Sequence, residues 1–172
     1  MLATIPIPHM VALALAAGAA LSDARTGHIP NGLTLPPLGI APVAYLILAG
    51  PRMAAFSVIA AILCGLLPYL MFRKGAAGGG DVKLLAAIGA ISGASFGLET
   101  QLFGFAVATF ASLTLLAYRG RLIATLANAL FLAINPLLPS RYRRIAAAET
   151  MSTIRMGIPF FIGALIAAWL RA

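Results

Sequence analysis

Only two aspartates occur in the chain, Asp23 and Asp81, and each stands where a long apolar run stops or starts. Two carboxyls brought close together cannot easily both ionise, so one keeps its proton while the other serves as a base. Such a pair can hydrolyse an amide without a covalent intermediate. The ionised partner takes a proton from water, the water attacks the scissile carbonyl, and the protonated partner donates to the carbonyl oxygen. Each residue also has a plainer reading. Asp81 follows three glycines and precedes VKLLAAIGA, the position of a helix N-cap. Asp23 lies at the C-terminal end of its run, where a helix dipole is negative and capping does not explain an acid. Its alternative is a turn before RTGHIPNG, with His28 and the pair Asn31-Gly32 as further turn or polar surface residues.

The neighbours of Asp81 bear on the same chemistry. Gly78, Gly79 and Gly80 have no side chains, so an extended peptide can approach the backbone beside the acid; a flexible linker is the other reading. They form no phosphate loop, because no Gly-Lys-Ser/Thr follows. Lys83 reads either as an interfacial anchor or as a charge that tunes the pair. The single cysteine, Cys64, sits in an apolar stretch, which leaves no intrachain disulfide and no cysteine cluster for zinc. No metal and no cofactor is expected.

Apolar helices must position these residues. Of the 172 residues 62% are hydrophobic, and the mean hydropathy of +1.01 belongs to a membrane protein. A helix crossing the ~30 Å hydrocarbon core needs about 20 apolar residues. Six stretches suit, near 3–22, 32–50, 53–72, 82–98, 100–118 and 156–170. The expected fold is therefore all-α, a polytopic bundle of six transmembrane helices forming one domain over 1–172. No Lys or Arg precedes Arg25, so the first run reads as a retained span and not a signal peptide. Pro30, Pro36, Pro37 and Pro42 crowd the second span and Pro68 sits in the third, where proline can kink or break a helix beside a wet cavity.

Charge orients the bundle and decides a seventh candidate, Leu122 to Leu138. With six spans and the N-terminus outside, Arg25, Arg73, Lys74, Lys83, Arg119, Arg121, Arg141, Arg143, Arg144 and Arg155 lie inside, against Arg52 and Arg171 outside. A seventh crossing would reduce that ten-to-two bias to seven against five. The segment 122–138, within a basic cytoplasmic loop at 119–155, then reads as an interfacial helix with Thr125, Asn128 and Asn135 on one face; a buried extra helix is the alternative. The net charge of +8 is thus a statement about topology, with anionic lipid headgroups as partners and no nucleic acid. Both aspartates face the cytoplasm in this arrangement.

DARTGHIPN, from Asp23 to Asn31, together with GGGDVKLL, from Gly78 to Leu85, resembles the paired motifs of type IV prepilin peptidases, which are GxGD-type intramembrane aspartic proteases. The likeness covers most of the chain, including the spacing of the motifs and a short final helix at MGIPFFIGAL. It implies that Asp23 and Asp81 are the catalytic aspartates and that Gly78 and Gly80 are the fixed glycines of GxGD. Lys83, Pro30 and Asn31 join the glycines as candidate substrate-binding or loop residues. The implied substrate is a pilin-like precursor, cut next to a glycine ahead of a hydrophobic helix, at the cytoplasmic side of the bacterial inner membrane. Both chain termini would then be periplasmic. Larger members carry an N-terminal extension with a cysteine-bearing region and also methylate the product, whereas this chain looks like the short stand-alone peptidases of tight-adherence (Flp) pilus systems, so methyltransferase activity is not expected. Presenilin-like proteases place their other aspartate in a different local motif.

Two rivals belong to other classes. A proton-coupled transporter would hold ionisable groups near the bilayer midplane, and the span interiors offer only His9, toward the outer end of the first. A non-enzymatic subunit of pilus assembly would tolerate replacement of either aspartate.

Overall fold

The computed structural model describes residues 6–118, 120, 123 and 155–171. The interfacial helix expected at 122–138 and the arginines between Arg119 and Arg144 fall, but for residue 123, outside the described residues. Among the described residues six helices follow one another: α1 (Ile7–Thr26), α2 (Asn31–Ala49), α3 (Pro51–Arg73), α4 (Gly79–Ser92), α5 (Ala94–Tyr118) and α6 (Gly157–Trp169). There is no strand among the described residues. The chain divides into two compact units, Met1–Ala108 with Arg155–Ala172, and Thr109–Ile154. Both motifs lie in the first.

Helices α1, α2, α3 and α5 are long and apolar enough to cross a membrane. At 14 and 13 residues, α4 and α6 are shorter. Large side chains such as Ile47, Phe56, Ile62 and Leu102 point outward and are exposed, while Ala12, Ala16 and Ala19 of α1, Ala87 and Ala90 of α4 and Ala164 and Ala167 of α6 are buried. Water would penalise that arrangement. Lipid does not, because hydrocarbon is as apolar as leucine and helices associate there through small residues that let backbones approach. Between α5 and α6 the approach is extreme: a Cβ on Gly163 would stand 2.5 Å from the Gly104 nitrogen. Helix α4 occupies the middle, packed against α1, α2 and α3, and α1 also lies along α6.

Two sequence expectations about helix breaks are corrected. Proline does not interrupt α2, which runs on through Pro36, Pro37 and Pro42. The break falls in the expected span 82–98, where Gly93 takes φ 87° and separates α4 from α5. Stopping a helix early leaves its last carbonyls without intrahelical partners, which is costly away from water. Neighbouring helices supply donors: Tyr45 Oη to the Ile91 carbonyl at 2.7 Å and Ser57 Oγ to that of Ala90 at 2.7 Å. Glu99, expected between two spans, consequently lies inside α5, where it forms a two-pronged ion pair with Arg171 at 2.6 and 2.8 Å. His9 of α1 stacks on Phe96 beside that pair, with ring centroids 4.3 Å apart.

Candidate active site

At the opposite end of the bundle from Glu99 and Arg171, the last turn of α1 meets the first turns of α4 and α6. Asp23 belongs to that last turn of α1, and Gly27, with φ 72°, ends the helix by donating its N–H to the Asp23 carbonyl at 2.9 Å. The connection to α2 is folded back by its own side chains. Ser22 Oγ donates to the His28 carbonyl at 3.1 Å, and the Thr26 hydroxyl donates to the Ser22 carbonyl at 2.9 Å. Ile29 is thereby turned inward and buried, and Pro30 serves as N-cap of α2 in extended conformation. The Asn31-Gly32 pair is the first turn of that helix, where the sequence reading allowed a turn.

Asp81 is not the N-cap of α4. That position falls to Gly78, whose backbone is extended, and Gly79 and Gly80 enter the helix, so Asp81 is the third helical residue. Its Oδ2 reaches back to accept the Gly78 N–H at 3.0 Å, which is the acidic half of a capping box; Gly78 has no side chain to supply the other half. The reason for the shift is steric. A Cβ on Gly80 would lie 2.9 Å from the Ile29 Cβ and 3.3 Å from the Ile29 carbonyl oxygen, so only glycine lets α4 begin this close to the α1–α2 connection. A second tie runs in parallel, from Lys83 Nζ to Asn31 Oδ1 at 2.7 Å. Residues of the two motifs, 52 positions apart, thus touch through both backbone and side chain.

Both carboxyls are buried in this junction, with 5% of Asp23 and 8% of Asp81 exposed. Asp81 lies just ahead of the apolar part of α4. Burial pushes its carboxyl up to about 6; the Gly78 amide pulls the other way, and the nearby Asp23 charge adds to the rise. Asp23 has a different surrounding. Its Oδ2 accepts the backbone N–H of Gly157, the first residue of α6, at 2.9 Å, so the positive end of that helix faces it. Gly157 and Arg155, which donates to the Ala24 carbonyl at 2.8 Å, escaped the sequence reading as site residues. The only signal was the MGIP that opens the last helix, and nothing local to it points 134 residues back to Asp23. Among the described residues no group of three or more His, Cys, Asp or Glu is placed to hold a metal ion.

A helical, multi-pass membrane protein with two buried aspartates at one end of its bundle is the class that fold and geometry define. Comparison with family models narrows it: the model of the type IV leader peptidase family matches residues 10–137, a stretch that holds both motifs. The chain belongs to that family of prepilin-type peptidases. Neither the curated proteins nor the solved structures give a match.

Proposed function

We propose that the chain is an aspartic endopeptidase in which Asp23 is the base and Asp81 the acid, and that it removes the leader of pilin-like precursors at the cytoplasmic face of the bacterial inner membrane. The observation that carries the reading is the contact between motifs: Gly80 against Ile29 and Lys83 on Asn31 hold the two acids at one buried junction. Their surroundings are unequal, which suits a division of labour. Asp81, raised to about 6, holds a proton more readily than an ordinary carboxyl, on the oxygen that does not face Gly78, while Asp23 meets an N–H donor and the positive end of a helix.

In the reaction Asp23 takes a proton from a water molecule as its oxygen bonds to the scissile carbonyl carbon, and Asp81 gives its proton to the carbonyl oxygen. The tetrahedral intermediate collapses as the C–N bond breaks: Asp23 passes its proton to the leaving nitrogen, and Asp81 recovers one from the hydroxyl as the carbonyl re-forms. The leader departs with a new carboxylate and the mature chain with a new amino group. The junction stands at the end of the bundle where Arg25, Arg73, Lys74 and Lys83 gather, which supports a cytoplasmic location. All six helices cross or enter the bilayer in this reading, α4 from the residue after Asp81, and the chain turns back at Gly93, so that Gly97 of α5 lies against Gly89 of α4.

Purified protein in lipid nanodiscs should cleave a pilin-like precursor, and Asp23→Asn and Asp81→Asn should each lower the rate by at least about a hundredfold, the usual worth of a positioned acid or base. Cleavage undiminished in either variant would reject the pair.

A further inference from the structure

The two acids do not complete the junction. Against α1 packs a third element, the residues Arg155-Met156-Gly157 that open α6, and both of its polar contacts fall on the last turn of α1. The Gly157 N–H meets the Asp23 carboxylate itself at 2.9 Å, in a buried position. Arg155 Nη1 meets the Ala24 carbonyl, one residue further on, at 2.8 Å, and its guanidinium lies over Gly27, which ends the helix. Gly157 has no room for any side chain: a Cβ there would stand 2.8 Å from the Asp23 Cβ, 3.0 Å from its Oδ2 and 3.1 Å from the Ala20 Cα. An N–H donor of α6 is therefore brought to the carboxylate by a helix that touches α1 without a side chain between them.

Resting on the reading of Asp23 as the base, we propose that Gly157 and Arg155 form a clasp that positions Asp23 for proton transfer, Gly157 acting on the carboxylate and Arg155 holding the two helix ends in register. Neither residue touches the substrate in this account; both act through Asp23. The clasp accounts for a tight glycine at the head of α6 and for an arginine on the α1 carbonyls, where a cation also complements the negative helix end. It assigns to the last helix a part in the chemistry that the two sequence motifs do not contain.

The test uses the full chain in nanodiscs and exploits the rarity of aspartate. With aspartate labelled by ¹³C at the carboxyl, the Asp81→Asn background leaves Asp23 as the one labelled side chain, so its infrared carboxylate band can be followed directly. Gly157→Ala should displace that band and, in the active background, lower kcat by about tenfold or more while KM stays within about twofold, the pattern of misplaced chemistry and not of lost binding. Arg155→Ala should lower kcat less, and Arg155→Lys should restore part of it. Wild-type kcat in Gly157→Ala, or an unmoved Asp23 band, overturns the clasp. Should Gly157→Ala fail to fold, the exposed Arg155 decides: an unchanged kcat and band in Arg155→Ala overturn it, and a lowered kcat with a displaced band upholds it. Failure of the acid pair itself would be seen separately, as cleavage surviving in Asp23→Asn.

Discussion

Asp81 carries an energetic cost that its proposed role explains. Unfolded, the carboxyl loses its proton near the ordinary 3.8; folded, it keeps it to about 6. Between those values the folded chain binds more protons than the unfolded one, so stability is greatest below about 3.8, falls as pH rises toward 6 and is level above. A gap of this size corresponds to roughly 3 kcal/mol. Asp81→Asn should therefore raise stability above pH 6 by about 1–3 kcal/mol while cleavage is lost, an exchange of stability for activity that thermal unfolding in detergent at pH 7 would measure. In the proposed mechanism the same carboxyl limits the rate. As acid it must be protonated, so kcat should fall as pH rises beyond about 6, with the constants belonging to the pair and not to one residue. Removing the neighbouring charge by Asp23→Asn should move the titration of Asp81 downward, which its infrared carboxyl band would report. At this scale the burial of two acids at one end of the bundle was foreshadowed: two aspartates in 172 residues, each at the edge of an apolar run, singled themselves out by count. Gly157 did not, because its contact with Asp23 is made by a backbone N–H that any residue type carries.

At the scale of elements, the three glycines before Asp81 separate into different jobs. Gly80 is pressed against Ile29, whereas a Cβ on Gly79 would meet only the ring of Phe72 at 3.5 Å, an ordinary contact. Gly80→Ala should push α4 away from the α1–α2 connection and cut the cleavage rate by about tenfold or more, as displacements of about 1 Å can. Gly79→Ala should stay within about threefold of wild type, and equal losses in the two variants would refute the steric account. The end of α4 makes a second claim. Ser57→Ala leaves the Ala90 carbonyl buried without its donor and should cost about 1–3 kcal/mol in thermal unfolding, with cleavage at low temperature preserved. The lengths and apolar character of α1, α2, α3 and α6 could be read from hydropathy, and their observed bounds lie within about four residues of the expected ones. The ends of α4 could not. Apolar counting runs straight through Ile91-Ser92-Gly93-Ala94, and what makes a stop there tolerable is the hydroxyls of Tyr45 and Ser57, which come from other helices. Prolines misled for the converse reason, since in α2 their loss of donors leaves the helix continuous.

For the whole molecule the question is which end faces which compartment, and the proposal that the aspartates face the cytoplasm rests on charge and contacts together. Arg25, Arg73, Lys74 and Lys83 mark the end that holds the aspartates, and Arg52 and Arg171 mark the other. The contacts require these assignments to move as a body: Gly157 on Asp23 and Lys83 on Asn31 tie α1, α2, α4 and α6 at one end, and Glu99 on Arg171 ties α5 to α6 at the other. Reversing the bundle would place the more basic end outside, against the bias that governs insertion. The chain supplies its own silent background for a labelling test, because Cys64 is its one cysteine and is fully buried. A membrane-impermeant maleimide added to intact spheroplasts should label Arg52→Cys and leave Ala76→Cys untouched until the membrane is opened. Labelling of Ala76→Cys from outside would put the acids on the side away from a freshly made precursor's leader, and the proposed peptidase could not then meet its substrate before export.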